Sequence, residues 1–189
     1  MPNTADKVKF NIKKLHYAVL TNGATPTWAT PVAIPGTVSF SLDPQGDTTP
    51  FYADGVVYYQ SVANNGYSGD LEVADFPASF LKDVFGIAEG TTSKVLTENS
   101  KVEPKPVALL FEEEGDSTGT KYVLYNCSCT RPKRSFATQT DSKEPSTQTV
   151  TVTSVPLSDG KVMAMTGADT PTATLTAWYT KVFEEGATV

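Results

Sequence analysis

Few residues of this 189-residue chain have types and spacings that admit chemistry: His16, the acids Asp70 and Glu72, and the cysteines Cys127 and Cys129. His16 is the only histidine, so any histidine-based triad must run through it. It sits inside an alternating, strand-like segment, and no Gly-x-Ser-x-Gly elbow or glycine-rich phosphate loop accompanies it. Its ordinary reading is a strand residue. Cysteines two apart on a strand share a face about 7 Å apart, too far for a disulfide. A zinc site made of them would need other ligand types, because one histidine and two cysteines do not complete a Cys/His set. They read as free, buried thiols in a reducing compartment. Asp70 and Glu72 leave one face of a strand, and glycosidases use two carboxylates about 5–10 Å apart. Acids two apart on an exposed strand face are common, however, and no aromatic cluster marks a sugar cleft. The expectation is a protein without enzymatic activity, metal or cofactor.

Two charge clusters remain. Glu112, Glu113 and Glu114, with Asp116, lead into a turn. They form either a solvated hairpin end or a negative patch that lines a surface or pairs with a neighbouring subunit. Arg131, Lys133 and Arg134 form a tight basic cluster. It has three readings: a solvated loop, a contact for acidic loops such as 43–54 on another copy, or a phosphate site. The whole chain carries 15 bases against 21 acids, a net charge of −6, which argues against nucleic-acid binding by counterion release. Between Lys14 and Lys82 there is no Lys or Arg, while Asp43, Asp47, Asp54, Asp70, Glu72 and Asp75 fall inside that interval. Such a segment repels a phosphate backbone rather than holding one. No apolar run approaches the ~20 residues that span a bilayer, so no membrane partner is expected. The opening MPNTADKVKFNIKK lacks an apolar core and a cleavage signature, and synthesis in the cytoplasm is the expectation.

The elements that must position these residues read mostly as strands. Residues 7–20 alternate imperfectly, which predicts a strand with a register change near Lys13 and Lys14. Residues 21–35 read as an exposed Thr/Pro/Gly loop. In 37–42 the alternation puts Val38, Phe40 and Leu42 on the buried face. Residues 43–55, DPQGDTTPFYADG, form an extended hairpin or a protruding loop, and Pro50 argues against a central strand there. Strands follow over 56–62 and 67–74, separated by Asn64-Asn65-Gly66, with Leu71 and Val73 facing away from Ser68, Asp70 and Glu72. The period changes over 77–85, where Phe80, Leu81, Val84 and Phe85 predict an amphipathic helix capped by Asp75 and ended by Gly86. Residues 106–114 and 121–131 flank EGDSTGT as a hairpin, with Val123, Tyr125, Cys127 and Cys129 on one face. Further strands are expected over 147–155 and 161–166. Leu175, Trp178, Tyr179, Val182 and Phe183 predict a C-terminal helix over about 171–183, with Thr170 as its cap.

The sum is a mainly β protein: an antiparallel β-sandwich or partial barrel with a flanking α-helix, residues 1–189 forming one domain. In SLDPQGDTTPFYAD, VVYY, NNGYSGDLEVA, PKPVALLFEEEGD and KYVLYNCSCTRP, in that order and spacing, the chain resembles the major tail proteins of long non-contractile-tailed (siphovirus-type) bacteriophages. The resemblance covers about residues 7–155 and continues through AWYTKVF.

It implies a tail-tube-type fold and a structural virion protein of the tail, assembled in the host cytoplasm. Six copies would form a ring, and stacked rings a tube that conducts the genome without binding it tightly. The implied partners are other copies of the chain, the tape measure protein, the tail terminator and the baseplate or tail-tip proteins. Asp43, Pro44, Gln45, Gly46, Asp47, Phe51, Tyr52 and Asp54 match the long loop that contacts the next ring. Residues 7–14 and 178–183 are further contact candidates. Ser68, Asp70 and Glu72 are expected on or near the lumen, and Arg131, Lys133 and Arg134 are candidate subunit contacts. The rival from another class is a monomeric β-sandwich adhesion or carbohydrate-binding module, which shares the strand alternation and threonine content.

Overall fold

The computed structural model describes residues 9, 11–21, 25–115, 119–136, 138 and 145–186. The expected strand start at Lys7, residues 116–118 of the EGDSTGT turn and most of the 138–146 loop lie outside them. In chain order the first strands are β1 (Asn11–Thr21), β2 (Thr27–Trp28), β3 (Val32–Ala33), β4 (Thr37–Phe40) and β5 (Asp43–Gln45). Then come β6 (Thr48–Ala53), β7 (Val56–Val62), β8 (Gly66–Val73), the helix α1 (Ala78–Phe85), β9 (Ala88–Glu89) and β10 (Leu96–Thr97). The chain continues with β11 (Val107–Glu114), β12 (Thr120–Cys129), β13 (Gln148–Ser154), β14 (Met163–Met165) and α2 (Thr172–Ala177).

Ten strands form one antiparallel sheet in the order β2-β1-β11-β12-β13-β8-β4, with β3, β14 and β5 extending β1, β12 and β8. Phe40 on β4 nevertheless meets Phe111 on β11 edge to face, at 5.3 Å. Four strand spacings of ~4.8 Å separate β4 from β11 in a flat sheet, so the sheet folds over on itself. The architecture is mainly β, open rather than a closed barrel, a sandwich-like sheet with a flanking helix.

The strand β11 explains this arrangement. Its sequence VALLFE does not alternate, and every residue from Val107 to Glu112 is buried. One face carries Val107, Leu109 and Phe111 into a core with Leu15, Tyr17, Leu71, Val73 and the apolar side of α1. The other carries Ala108 and Leu110 into a second core with Val123, Tyr125, Trp178 and Val182. α1 buries Phe80, Leu81, Val84 and Phe85 as its period predicts, and Phe80 contacts Tyr17, Phe76 and Phe85. Gly86 ends α1 in the left-handed region at φ 61°.

Several expectations change. Asp75 does not cap α1: no side chain does, Pro77 stands at the cap position, and Asp75 accepts a hydrogen bond from the Gln148 amide. The register change in β1 falls between Lys13 and His16, with Lys14 at φ 54°. A bulge between Thr37 and Ser39 turns Val38 outward, leaving it 51% exposed. A second bulge in β12 separates Val123 and Tyr125 from Cys127 and Cys129, which face the α1 core instead. Within 21–35, β2 and β3 pair with β1, and Ile34 is buried. The C-terminal helix is only Thr172–Ala177, and Thr170 accepts from the Gly167 N–H instead of capping it. Trp178 and Val182 are buried all the same, carried by turns rather than by a helix.

Phe80→Ala removes a fully buried ring and should lower the unfolding free energy by about 3–5 kcal/mol. Phe136→Ala, at a side chain 90% exposed, should change it by less than about 0.5 kcal/mol. Urea unfolding followed by tryptophan fluorescence measures both.

Candidate assembly surface

The strands β6 and β7 make a two-stranded hairpin of their own. At its base the ladder of β5 and β8 continues through Asn65 N–H to Gln45 O and Ala63 N–H to Asp47 O, both backbone hydrogen bonds. Gly46 is required at this junction, because a Cβ there would come within 2.0 Å of the Ala63 carbonyl oxygen. At the tip, Asp54 and Gly55 adopt φ 52° and 79°, the pair of positive values that a two-residue type I′ turn requires. Pro50 is tolerated because the hairpin has only two strands, each with a free edge.

Every residue of β6 and β7 except Ala53 is exposed. Phe51, Tyr52, Val56, Val57, Tyr58, Tyr59 and Val62 are each at least half exposed, and Tyr58 reaches 74%. Two-stranded hairpins are marginal in water alone, and contiguous apolar side chains on a protrusion mark a contact surface. Of the expected loop residues, Phe51, Tyr52 and Asp54 lie on this hairpin, and Asp47 closes its base. Asp43, Pro44 and Gln45 are paired with β8 in the main sheet, and Gly46 is the junction. The protrusion therefore runs to Val62, beyond the expected boundary near 55. Sequence reasoning missed Val56, Val57, Tyr58, Tyr59 and Val62. The available signal was the non-alternating VVYYQSV, apolar on both faces with no second layer to receive either.

Ser68, Asp70 and Glu72 share one face of β8, opposite the buried Leu71 and Val73. Hydroxyls surround both acids. Thr151 donates to Asp70 at 2.8 Å, and Ser39 and Thr147 donate to Glu72 at 3.1 and 2.5 Å. Ser68 and Thr153 stand 3.5 Å apart across the β8–β13 ladder. This is the same sheet face that the C-terminal segment covers over β1, β11 and β12; over β8 and β13 it is polar, neither strand carries a base, and Lys133 bridges Thr149 at its edge.

In the acidic run of β11, Glu112 is buried, Glu113 and Glu114 stay part-exposed and ion-paired within the chain, and Asp116 lies outside the described residues. Glu112 is 5% exposed and meets Lys14 at 3.0 Å, Lys121 at 3.4 Å and Lys13 at 4.0 Å. The Tyr179 hydroxyl donates to it at 3.1 Å, and the Tyr179 ring lies 4.5 Å from His16. Glu113 pairs with Lys9 at 3.0 Å, and Glu114 with Lys13 at 2.7 Å. Burial alone would raise the Glu112 carboxyl, but Lys14, Tyr179 and Lys121 outweigh it and hold the group below the usual carboxylate range. Burial, reinforced by Glu112, pushes the Tyr179 hydroxyl well up. Lys9, Lys13, Lys14 and Tyr179 thus have partners within the chain.

In the basic cluster, Arg131 pairs with Glu98 at 2.7 Å. Lys133 bonds its backbone N–H to the Thr149 carbonyl, and Arg134 has no partner among the described residues. Cys127 and Cys129 are buried free thiols, both pushed up by burial, Cys129 to about 12. His16 Nδ1 lies 2.8 Å from the Lys14 carbonyl oxygen. Among those residues no three His, Cys, Asp or Glu side chains converge on a metal-sized site, and no helix is long and apolar enough to cross a membrane.

No protein-family model and no curated protein matches the chain. Two solved structures are similar in outline. One is a chain of the anti-feeding prophage baseplate, determined by cryo-electron microscopy with six-fold symmetrisation. It is 13% identical at a TM-score of 0.47, over 86% of this chain and 96% of that one. The other belongs to the tube-terminating cap of the same prophage, 18% identical at a TM-score of 0.42, over 89% of this chain and all of that one. Superpositions this loose transfer no role to this chain.

Glu112 makes the stability of the fold depend on pH. Its lowered folded-state value means that its contribution is present above the unfolded carboxylate value and is lost as pH falls through the folded one. Glu112→Gln should cost about 1–3 kcal/mol at neutral pH and progressively less on acidification. Thermal melts of both proteins between about pH 7 and pH 3 should therefore converge at the acid end.

Proposed function

We propose that this protein is a structural subunit of a phage-type tail, polymerising through its β6–β7 hairpin into stacked rings that form a tube. The hairpin carries the reading. Seven large apolar side chains stand at least half exposed on a protrusion among the described residues, and burying them against another copy removes that surface from water. In the finished assembly six copies form each ring, the rings stack around the tape measure protein, and the tube conducts the genome. The tail terminator and the baseplate or tail-tip proteins close its two ends, and the assembled particle is the virion tail. The β8–β13 face with Ser68, Asp70 and Glu72 suits the lumen, since carboxylates and hydroxyls without bases let a polyanion slide.

Replacing residues 48–62 by a short glycine linker should leave the thermal melt of the main sheet intact and abolish elongation. Electron microscopy and sedimentation of the concentrated protein read this out. Normal tubes from the deletion, or an unaltered chain that stays monomeric at every concentration, would refute the reading; the second result favours a monomeric binding module.

The lumen assignment has its own test. Asp70→Lys with Glu72→Lys should give assembled protein that retains DNA in a salt-dependent way, while the unsubstituted protein does not. Equal DNA retention by both, measured by filter binding across a salt series, places that face elsewhere.

A further inference from the structure

The hairpin and the basic cluster lie at opposite ends of the same ladder. β5 pairs Gln45 with Gly66, so β6 and β7 leave the sheet at the Gly66 end of β8. Lys133 bridges Thr149, which pairs with Glu72, so residues 131–134 lie at the other end of that strand. About 25 Å of strand separates the two sites, at ~3.3 Å per residue over eight residues. A cleft of ≈180 Å³ opens at the basic end. Leu81, Phe85, Ile87 and Pro132 give it apolar walls, and the Arg131–Glu98 pair and Arg134 give it a charged rim. That volume is below the roughly 300–1,000 Å³ of small-molecule sites and suits a protruding side chain.

We infer that this cleft is the socket for the β6–β7 hairpin of a second copy, with an aromatic side chain of the hairpin on the apolar walls and the Asp54 carboxylate at Arg134. The inference rests on the proposed self-assembly and deepens it by naming the receiving surface. Charge complementarity selects the occupant. The hairpin tip carries Asp54 and its base Asp47, with no base anywhere between Lys14 and Lys82. Arg134 is a cation without a partner among the described residues, beside an apolar opening. Because donor and socket are different surfaces at opposite ends of the β8 ladder, the contact is heterologous and repeats along the strand direction instead of closing a two-fold dimer.

Mixed Asp54→Cys and Arg134→Cys proteins should form a disulfide-linked dimer under mild oxidation, since Cys127 and Cys129 are buried and do not compete. Asp54→Cys mixed with Ser158→Cys, an exposed control, should not. Asp54→Arg and Arg134→Asp should each raise the concentration for elongation about tenfold, and the doubly swapped protein should restore it. Elongation of the unsubstituted protein without the cross-link and without rescue would overturn the socket and leave self-assembly standing. An unsubstituted protein that never elongates would overturn both. Retention of a short DNA duplex that Arg134→Asp abolishes, with no cross-link, would instead make the basic end a phosphate contact and overturn the socket.

Discussion

Burial of β11 on both faces is the constraint on which the rest depends. A strand whose six residues from Val107 to Glu112 all leave water needs a layer on each side. α1 supplies one, placed by the Phe80 ring among Tyr17, Phe76 and Phe85. The C-terminal segment supplies the other through Trp178 and Val182. Neither layer is large, so the sheet must curl to finish the first core, which brings Phe40 onto Phe111. Glu112 sits where the doubly buried strand reaches its polar end. Its carboxylate survives there because Lys14, Lys121 and Tyr179 converge on it, and the same contacts hold the C-terminal segment against the sheet.

The second layer covers only part of its face. Over β1, β11 and β12 the face is apolar and covered; over β13 and β8 it turns to Thr, Ser, Asp and Glu and needs no cover. The switch happens within β12, where the bulge exchanges the faces, so that Val123 and Tyr125 point one way and Cys127 and Cys129 the other. One inserted residue thus divides a sheet face into a structural half and a free half. The hairpin is the reverse case. It is apolar and has no second layer at all, so the apolar surface that the main sheet hides is displayed there instead.

Periodicity made much of this legible in the sequence. Leu71 and Val73 against Ser68, Asp70 and Glu72, and the four buried positions of α1, follow from side-chain geometry that local order cannot easily override. The misses have a common physical cause. Bulges at Val38 and within β12 insert a residue without any composition change, so alternation counted across them assigns the wrong face. The helical spacing of Leu175, Trp178, Tyr179, Val182 and Phe183 reported burial correctly and helix length wrongly, because turns can present the same side chains. The ion pairs of Glu112, Glu113 and Glu114 with Lys9, Lys13 and Lys14 were hidden because those cations lie about a hundred residues away in sequence. Only the antiparallel pairing of β1 with β11 brings Lys9, Lys13 and Lys14 to them.

That pairing also settles which charges the molecule shows to others. The densest acidic run and the densest N-terminal basic run neutralise each other at the β1–β11 ladder, and Arg131 is taken by Glu98. Among the charges left outward, two groups lie at opposite ends of the β8 ladder. Asp43 and Asp47 lie toward the hairpin end of the β8 ladder, Asp54 caps the hairpin, and Lys133 and Arg134 lie at the other end. A net charge of −6 spread evenly would only keep copies apart. Internal pairing neutralises several of the bases, and the charges at the two ends of the β8 ladder give a polarity along the strand direction. In the proposed assembly the exposed apolar side chains would supply attraction without register, and that polarity would give the attraction a direction.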